Sequence, residues 1–316
     1  MTDPAIHPQS IDQAAKILTA GGICAFATET VYGLGANATN SDAVLSVYQA
    51  KGRPRFNPLI VHCSDFTMAE KLVVFSPLAR DLAEKLWPGP LTLVLPMRPE
   101  AGISDIVTAG LDTLAVRVPA HDAARELVAT LNRPIAAPSA NPSGRLSATC
   151  AEQVKHMFAN SVPVLDGGRC AAGVESTIIA VVDDELVQLR AGAMTREEIS
   201  ATVGKPVLAT REGVKIAAPG MLKSHYAPNA NLRLNATAPR AGEAFLAFGR
   251  SPDFTGPMRN LSATADLREA ARNLFASLHV LDAENPECIA VAPIPKTGLG
   301  EAINDRLQRA AAPTTI

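Results

Sequence analysis

A chain of 316 residues is too long for one ordinary hydrophobic core and predicts about two domains. Its 47% hydrophobic and 19% charged residues are those of a soluble globular protein, and apolar runs such as Ile178-Ile179-Ala180-Val181-Val182 fall far short of the ~20 residues that cross a bilayer, which excludes a membrane partner. The formal net charge of −2 excludes bulk electrostatic attraction to nucleic acid, so any basic character that matters must be local.

In chain order, Met1-Thr2-Asp3-Pro4 carries no basic stretch followed by an apolar one, so export is not expected. Ile11, Ala14, Ala15 and Leu18 have helical spacing, and Gly21-Gly22 stops that helix. Residues 23–27 read as a buried strand that ends at Thr28-Glu29-Thr30, ahead of a turn at Gly33 and Gly35. Ser41-Asp42 caps a helix predicted through Tyr48, and a positive cluster, Lys51-Gly52-Arg53-Pro54-Arg55-Phe56-Asn57, follows it. Residues 59–62 form a second strand, and a helix over 78–86 breaks at Trp87-Pro88-Gly89-Pro90 before a third strand at 91–95. Strands at 114–118, 135–137 and 176–182 continue the set, with helices near 121–131 and 150–158. Residues 205–229 are punctuated by proline and glycine and read as a linker. Beyond them, strands at 245–249 and 288–291 with helices near 265–278 and 299–310 make a βαβα unit. The expected organisation is α/β: a twisted mixed-sheet domain over 1–204, a linker or lid over 205–229, and a smaller α/β domain over 230–316.

Cys24, Cys63, Cys150, Cys170 and Cys288 contain no Cys-x-x-Cys pair and read as reduced core thiols of a cytoplasmic protein. Lys51 and Arg53 can bind phosphate as a mobile charge and a planar fork, or simply offset a helix C-terminus. His62, in an apolar strand, is a core residue or a ligand. Ser139 and Asn141 project from the proline-bearing bend 138–144, with Ser147 shortly after, and Ser176-Thr177 is a similar strand start. Arg117 inside an apolar strand needs an anion, either a substrate carboxylate or phosphate or a structural carboxylate. No Gly-x-Ser-x-Gly elbow and no His-Glu-x-x-His helix occurs, so the polar set suits positioning and charge stabilisation rather than covalent catalysis.

Taken jointly, 28–35, Lys51-x-Arg53, Pro138-Ser139-Ala140-Asn141 and Gly173-Val174-Glu175-Ser176-Thr177 resemble the YrdC/Sua5 family, the threonylcarbamoyl-AMP synthases. His225-Tyr226-Ala227-Pro228 and the tail 298–307 are similar to the longer Sua5 branch, which adds a Rossmann-like C-terminal domain; the resemblance covers nearly the whole chain. It implies a nucleotidyltransferase that makes L-threonylcarbamoyladenylate and pyrophosphate from L-threonine, bicarbonate or CO2, and ATP. The product serves the t6A modification at position 37 of tRNAs that read ANN codons. Carried over by position, Thr30, His62, Arg117, Ala137 and Thr177 surround L-threonine. Lys51, Arg53, Asn57, Thr113, Ser139, Asn141, Ser147, Arg190 and Tyr226 hold ATP, with Lys51 and Arg53 catalytic and Tyr226 folding over the site from the linker. Mg2+ is expected on the ATP phosphates, with no metal ligand from protein side chains. The threonylcarbamoyl-transferase machinery is an expected partner, and tRNA a candidate one. Ala27 and Ala191 stand where the family commonly has proline. The alternative is a non-catalytic RNA-binding module of the same fold, which the net charge disfavours; the carbamoyl-transfer domain of hydrogenase maturation proteins is disfavoured by the missing Cys-x-x-Cys.

Overall fold

A computed structural model describes residues 5–209 and 225–312. Ten strands form the larger sheet: β1 (Cys24–Phe26), β2 (Gly33–Asn37), β3 (Ile60–His62), β4 (Leu91–Pro96), β5 (Thr113–Arg117), β6 (Ile135–Ala136), β7 (Val164–Leu165), β8 (Thr177–Val182), β9 (Glu185–Arg190) and β10 (Val207–Ala209). Their spatial order is β10-β9-β8-β4-β5-β3-β6-β2-β1-β7, with parallel and antiparallel neighbours mixed. A second sheet holds β11 (Asn231–Arg233), β12 (Ala244–Ala247), β13 (Met258–Asn260) and β14 (Cys288–Val291) in the order β11-β14-β12-β13, all parallel. The helices Leu267–Ala283 and Leu299–Ala311 bury Leu274, Phe275, Leu278, Ile303 and Leu307 in the core of that unit. This is the expected α/β architecture, a twisted mixed sheet followed by a smaller parallel one.

Several boundaries differ from expectation, each for a local reason. The helix predicted to stop at Tyr48 runs Ser41–Lys51, because Asn40 caps its start and Gly52, at φ 59°, closes its end. Gly33 and Gly35 are not in a turn but in β2, antiparallel to β1. There glycine serves close packing: a Cβ on Gly35 would lie 2.7 Å from the Phe26 ring and 2.8 Å from Ile135. Residues 207–209, read as linker, are edge strand β10 beside β9. Linker residues 210–224 lie outside the described residues, while Ala227 donates from its backbone to Gly144 O at 2.7 Å. The two units share apolar packing, since Val31, Leu146 and Val174 belong to the same buried cluster as Tyr226, Leu274 and Phe275.

Candidate active site

Parallel pairing of β3 with β5 sets His62 directly opposite Arg117, and antiparallel β6 places Ala137 just beyond its last paired residue. Ala137 donates from its backbone to Ile60 O at 2.9 Å, so the cleft crosses β3 from Ile60 to His62, and the loop between β1 and β2 adds Thr28 and Thr30 to its lining. Together they line part of a cleft that opens to solvent.

In this part Arg117 is 3% exposed. Its Nη1 donates to Thr30 Oγ1 at 2.9 Å, its Nε to Gly89 O at 3.2 Å, and its Nη2 lies 2.5 Å from Glu29 Oε1. The buried arginine therefore has a structural carboxylate, one of the two partners the sequence left open. Burial alone would raise the Glu29 carboxyl, but Arg117 brings it below the ordinary glutamate value. Burial, reinforced by Arg117, pushes His62 down to about 3, so the imidazole is neutral. Its Nδ1 has no hydrogen-bond partner among the described residues.

Other lining residues are cationic. Arg53 donates from Nε to Asn57 O at 3.2 Å and from Nη2 to Pro58 O at 2.9 Å, which aims its guanidinium along the cleft wall. Burial lowers Arg53 to about 10, still charged at neutral pH. Arg190 donates to Ser176 O from Nε at 3.1 Å and from Nη2 at 2.8 Å, and both residues line the cleft with Ser139. Tyr226 and His225 line the cleft beside these arginines, their ring centroids 4.0 Å apart.

Eight of the expected residues thus meet at one cleft: Thr30, Arg53, His62, Arg117, Ala137, Ser139, Arg190 and Tyr226. The others stand behind or beside it. Lys51 is neither a solvated helix end nor a cleft-lining cation. It is 4% exposed, and its Nζ donates to Ser139 O at 2.6 Å and to Asn141 O, stapling the bend that presents Ser139. Burial, then the neighbouring Arg53, hold the Lys51 ammonium well below the usual lysine value. Asn141 is fully buried, and its amide donates to Pro142 O and Arg145 O at 2.8 and 2.9 Å. Ser147 donates to Glu175 Oε1 at 2.6 Å, and Thr177 exchanges hydrogen bonds with the backbone of Met194. Asn57 is buried with Nδ2 unpartnered among the described residues, and Thr113 opens β5 two residues before Ala115, the register partner of Ile60. Thr28, Glu175, Ser176 and His225 also line the cleft but were not expected as site residues. Thr28 and Ser176 belong to the strand-end hydroxyl groups 28–30 and 176–177 that the sequence singles out, Glu175 just precedes the second of these, and His225 is the chain neighbour of Tyr226.

No group of three His, Cys, Asp or Glu side chains suited to a metal ion occurs among the described residues, and Glu29 and Glu175 are each paired with an arginine. No described helix is long and apolar enough to cross a membrane.

A cleft on a mixed sheet, lined by the hydroxyls of Thr28, Thr30, Ser139 and Ser176 and by Arg53, Arg117 and Arg190, defines a class of protein suited to a small polar molecule beside an anion. The comparisons give that class a family. Residues 16–192 match the Sua5/YciO/YrdC family described as "Telomere recombination", and 194–312 match "Threonylcarbamoyl-AMP synthase, C-terminal domain". The chain is 40% identical to the threonylcarbamoyl-AMP synthase of Bacillus subtilis strain 168 over 97% of its own length and 94% of that protein's. It is 40% identical to that of Pyrococcus abyssi, over 97% and 95%. The crystal structure of P. abyssi Sua5 with L-threonine superposes with a TM-score of 0.87 at 38% identity, covering 95% of this chain and 94% of that one. E. coli YciO, at 23% identity and a TM-score of 0.52 over 59% of this chain and 93% of its own, shares the fold alone. The chain belongs to the YrdC/Sua5 family of threonylcarbamoyl-AMP synthases, in its two-domain Sua5 form.

Proposed function

We propose that the cleft forms L-threonylcarbamoyladenylate and pyrophosphate from L-threonine, bicarbonate or CO2, and ATP, supplying the t6A37 modification of ANN-decoding tRNAs. The observation that carries this reading is the juxtaposition of the Thr30–His62–Arg117 pocket with the Arg53–Ser139–Arg190 wall in one cavity. The first set suits an amino acid: Thr30 as hydrogen-bonding hydroxyl, neutral His62 with an open Nδ1, and Arg117, held in place by Glu29, as the cation a substrate carboxylate would share with that glutamate. The second suits a triphosphate. Mg2+ would be held by the ATP phosphates, its oxygen ligands, and would there offset phosphate charge; Glu175, which lines the cleft, is paired with Arg306.

The reaction needs position and charge more than a nucleophile on the protein. The threonine amine adds CO2 and loses a proton to give a carbamate. A carbamate oxygen attacks the α-phosphorus in line, the bond to the bridging oxygen breaks, and pyrophosphate departs with that electron pair. Arg53 and Arg190 stabilise negative charge developing on the phosphoryl oxygens. Lys51 acts from beneath, fixing the bend that carries Ser139. Thr177, Ser147, Asn141, Asn57 and Thr113 belong to the supporting layer around the two ends. A transferase that consumes the adenylate, and tRNA beyond it, are the corresponding partners, and the cytoplasm the corresponding compartment.

The test is pyrophosphate release from ATP by the purified protein. Release is expected to require both threonine and bicarbonate, and Arg53→Ala is expected to lower its rate by about 100-fold, the usual cost of one preorganised charge-stabilising donor. Release independent of threonine, or an Arg53→Ala variant of full activity, contradicts the assignment.

A further inference from the structure

Arg306, on the helix Leu299–Ala311, belongs to the second unit yet ends in the first. It is 1% exposed. Its Nε donates to Glu175 Oε2 at 2.7 Å, its Nη2 to Ala191 O at 2.9 Å, and its Nη1 to Asp305 Oδ2 at 2.5 Å. The Tyr226 ring centroid lies 5.1 Å from its Cζ. Glu175 shortly precedes β8 and Ala191 directly follows β9, and these strands are antiparallel neighbours. Arg306 therefore clips the open end of the β8–β9 hairpin. That same end presents Ser176 and Arg190 to the cleft.

Charge makes the clip more than a brace. Burial would raise the Glu175 carboxyl, but Arg306 and then Arg190 bring it below the ordinary value, and Ser147 donates to its other oxygen at 2.6 Å. Without Arg306, the buried carboxylate has Arg190 as its remaining cationic neighbour. A carboxylate drawn onto Arg190 would neutralise the wall proposed to face phosphate.

We infer that Arg306 is a positioning residue of the cleft, through which the C-terminal unit holds Glu175 off Arg190 and fixes the strand ends that receive the nucleotide. The inference rests on the proposed function and assigns the C-terminal unit a part in nucleotide affinity. An ion pair that merely joins two domains would alter stability and leave that affinity alone.

The test is calorimetric titration of full-length protein with MgATP, comparing wild type, Arg306→Met, Arg306→Lys and the double variant Arg306→Met/Glu175→Gln. Arg306→Met is expected to weaken binding about tenfold, well within the cost of stranding a buried charge, and the double variant to recover most of that loss. Arg306→Lys keeps the charge but cannot reach Glu175 and Ala191 together, so it is expected to weaken binding about threefold and supplies the test if Arg306→Met does not fold. Wild-type affinity in either single variant overturns the inference, as does a double variant no tighter than Arg306→Met. A wild-type protein that binds no MgATP overturns instead the function on which the inference rests.

Discussion

His62 and His225 sit buried and neutral at the cleft, each pushed down to about 3 chiefly by burial. A histidine whose folded value lies below its unfolded 6.5 binds its proton more readily when the chain unfolds. Stability then falls as pH drops below that unfolded value and continues to fall toward the folded one. The paired carboxylates behave differently: Glu29 and Glu175 are depressed, so their contribution holds above the ordinary glutamate value and is lost only as pH falls further. Between pH 7 and pH 5 the histidines therefore dominate. Urea unfolding at those two pH values is expected to show wild type losing about 2 kcal/mol more than His62→Asn, and equal losses would mean His62 is not held neutral. Lys51 marks what residue reading could and could not reach. Its place beside Arg53 and its kinship with Ser139 and Asn141 were legible in the sequence. Its direction was not, because three further residues of helix beyond Tyr48 turn it inward onto the carbonyls of Ser139 and Asn141.

Among the elements, the long apolar strands and the strongly periodic helices were readable, since burial on both faces leaves an unbroken apolar run. β2 was not, because its Gly33-Leu34-Gly35 looks like turn chemistry. What the glycines supply is clearance: β2 must lie against Phe26 and Ile135 so that Leu34 N can reach Pro138 O and Ala140 N can reach Tyr32 O, which seats the Ser139 bend beside the Thr30 loop. Gly35→Ala is accordingly expected to destabilise by about 1–3 kcal/mol through overpacking, read as a lower urea midpoint with unchanged slope. An unshifted midpoint would show that Phe26 and Ile135 yield freely. β9 is hidden in the sequence for another reason: Glu185-Leu186-Val187-Gln188-Leu189-Arg190 mixes charge with apolar residues, and pairing with β8 and β10 identifies it. Arg190, at its end, was reached through family resemblance and not through the strand.

At the scale of the whole molecule, two sheets and one cleft are joined by a segment whose described end, His225 and Tyr226, is built into the cleft wall and the second unit's core. His225 N donates to Arg309 O at 3.2 Å while Ala227 N donates to Gly144 O, so three residues of chain bind both units. The presence of two units was legible in length and composition; their shared core was not, because Val31, Leu146 and Val174 are indistinguishable in sequence from residues that pack within their own sheet. The central claim, that an amino-acid end and a nucleotide end meet in one cavity to make a mixed anhydride, is tested most directly by mass spectrometry of the reaction mixture. Purified protein given ATP, Mg2+, L-threonine and bicarbonate is expected to accumulate threonylcarbamoyl-AMP, with its mass shifted by one unit when the carbonate carbon is ¹³C. ATP consumed with only ADP, or AMP without that adduct, would contradict the account.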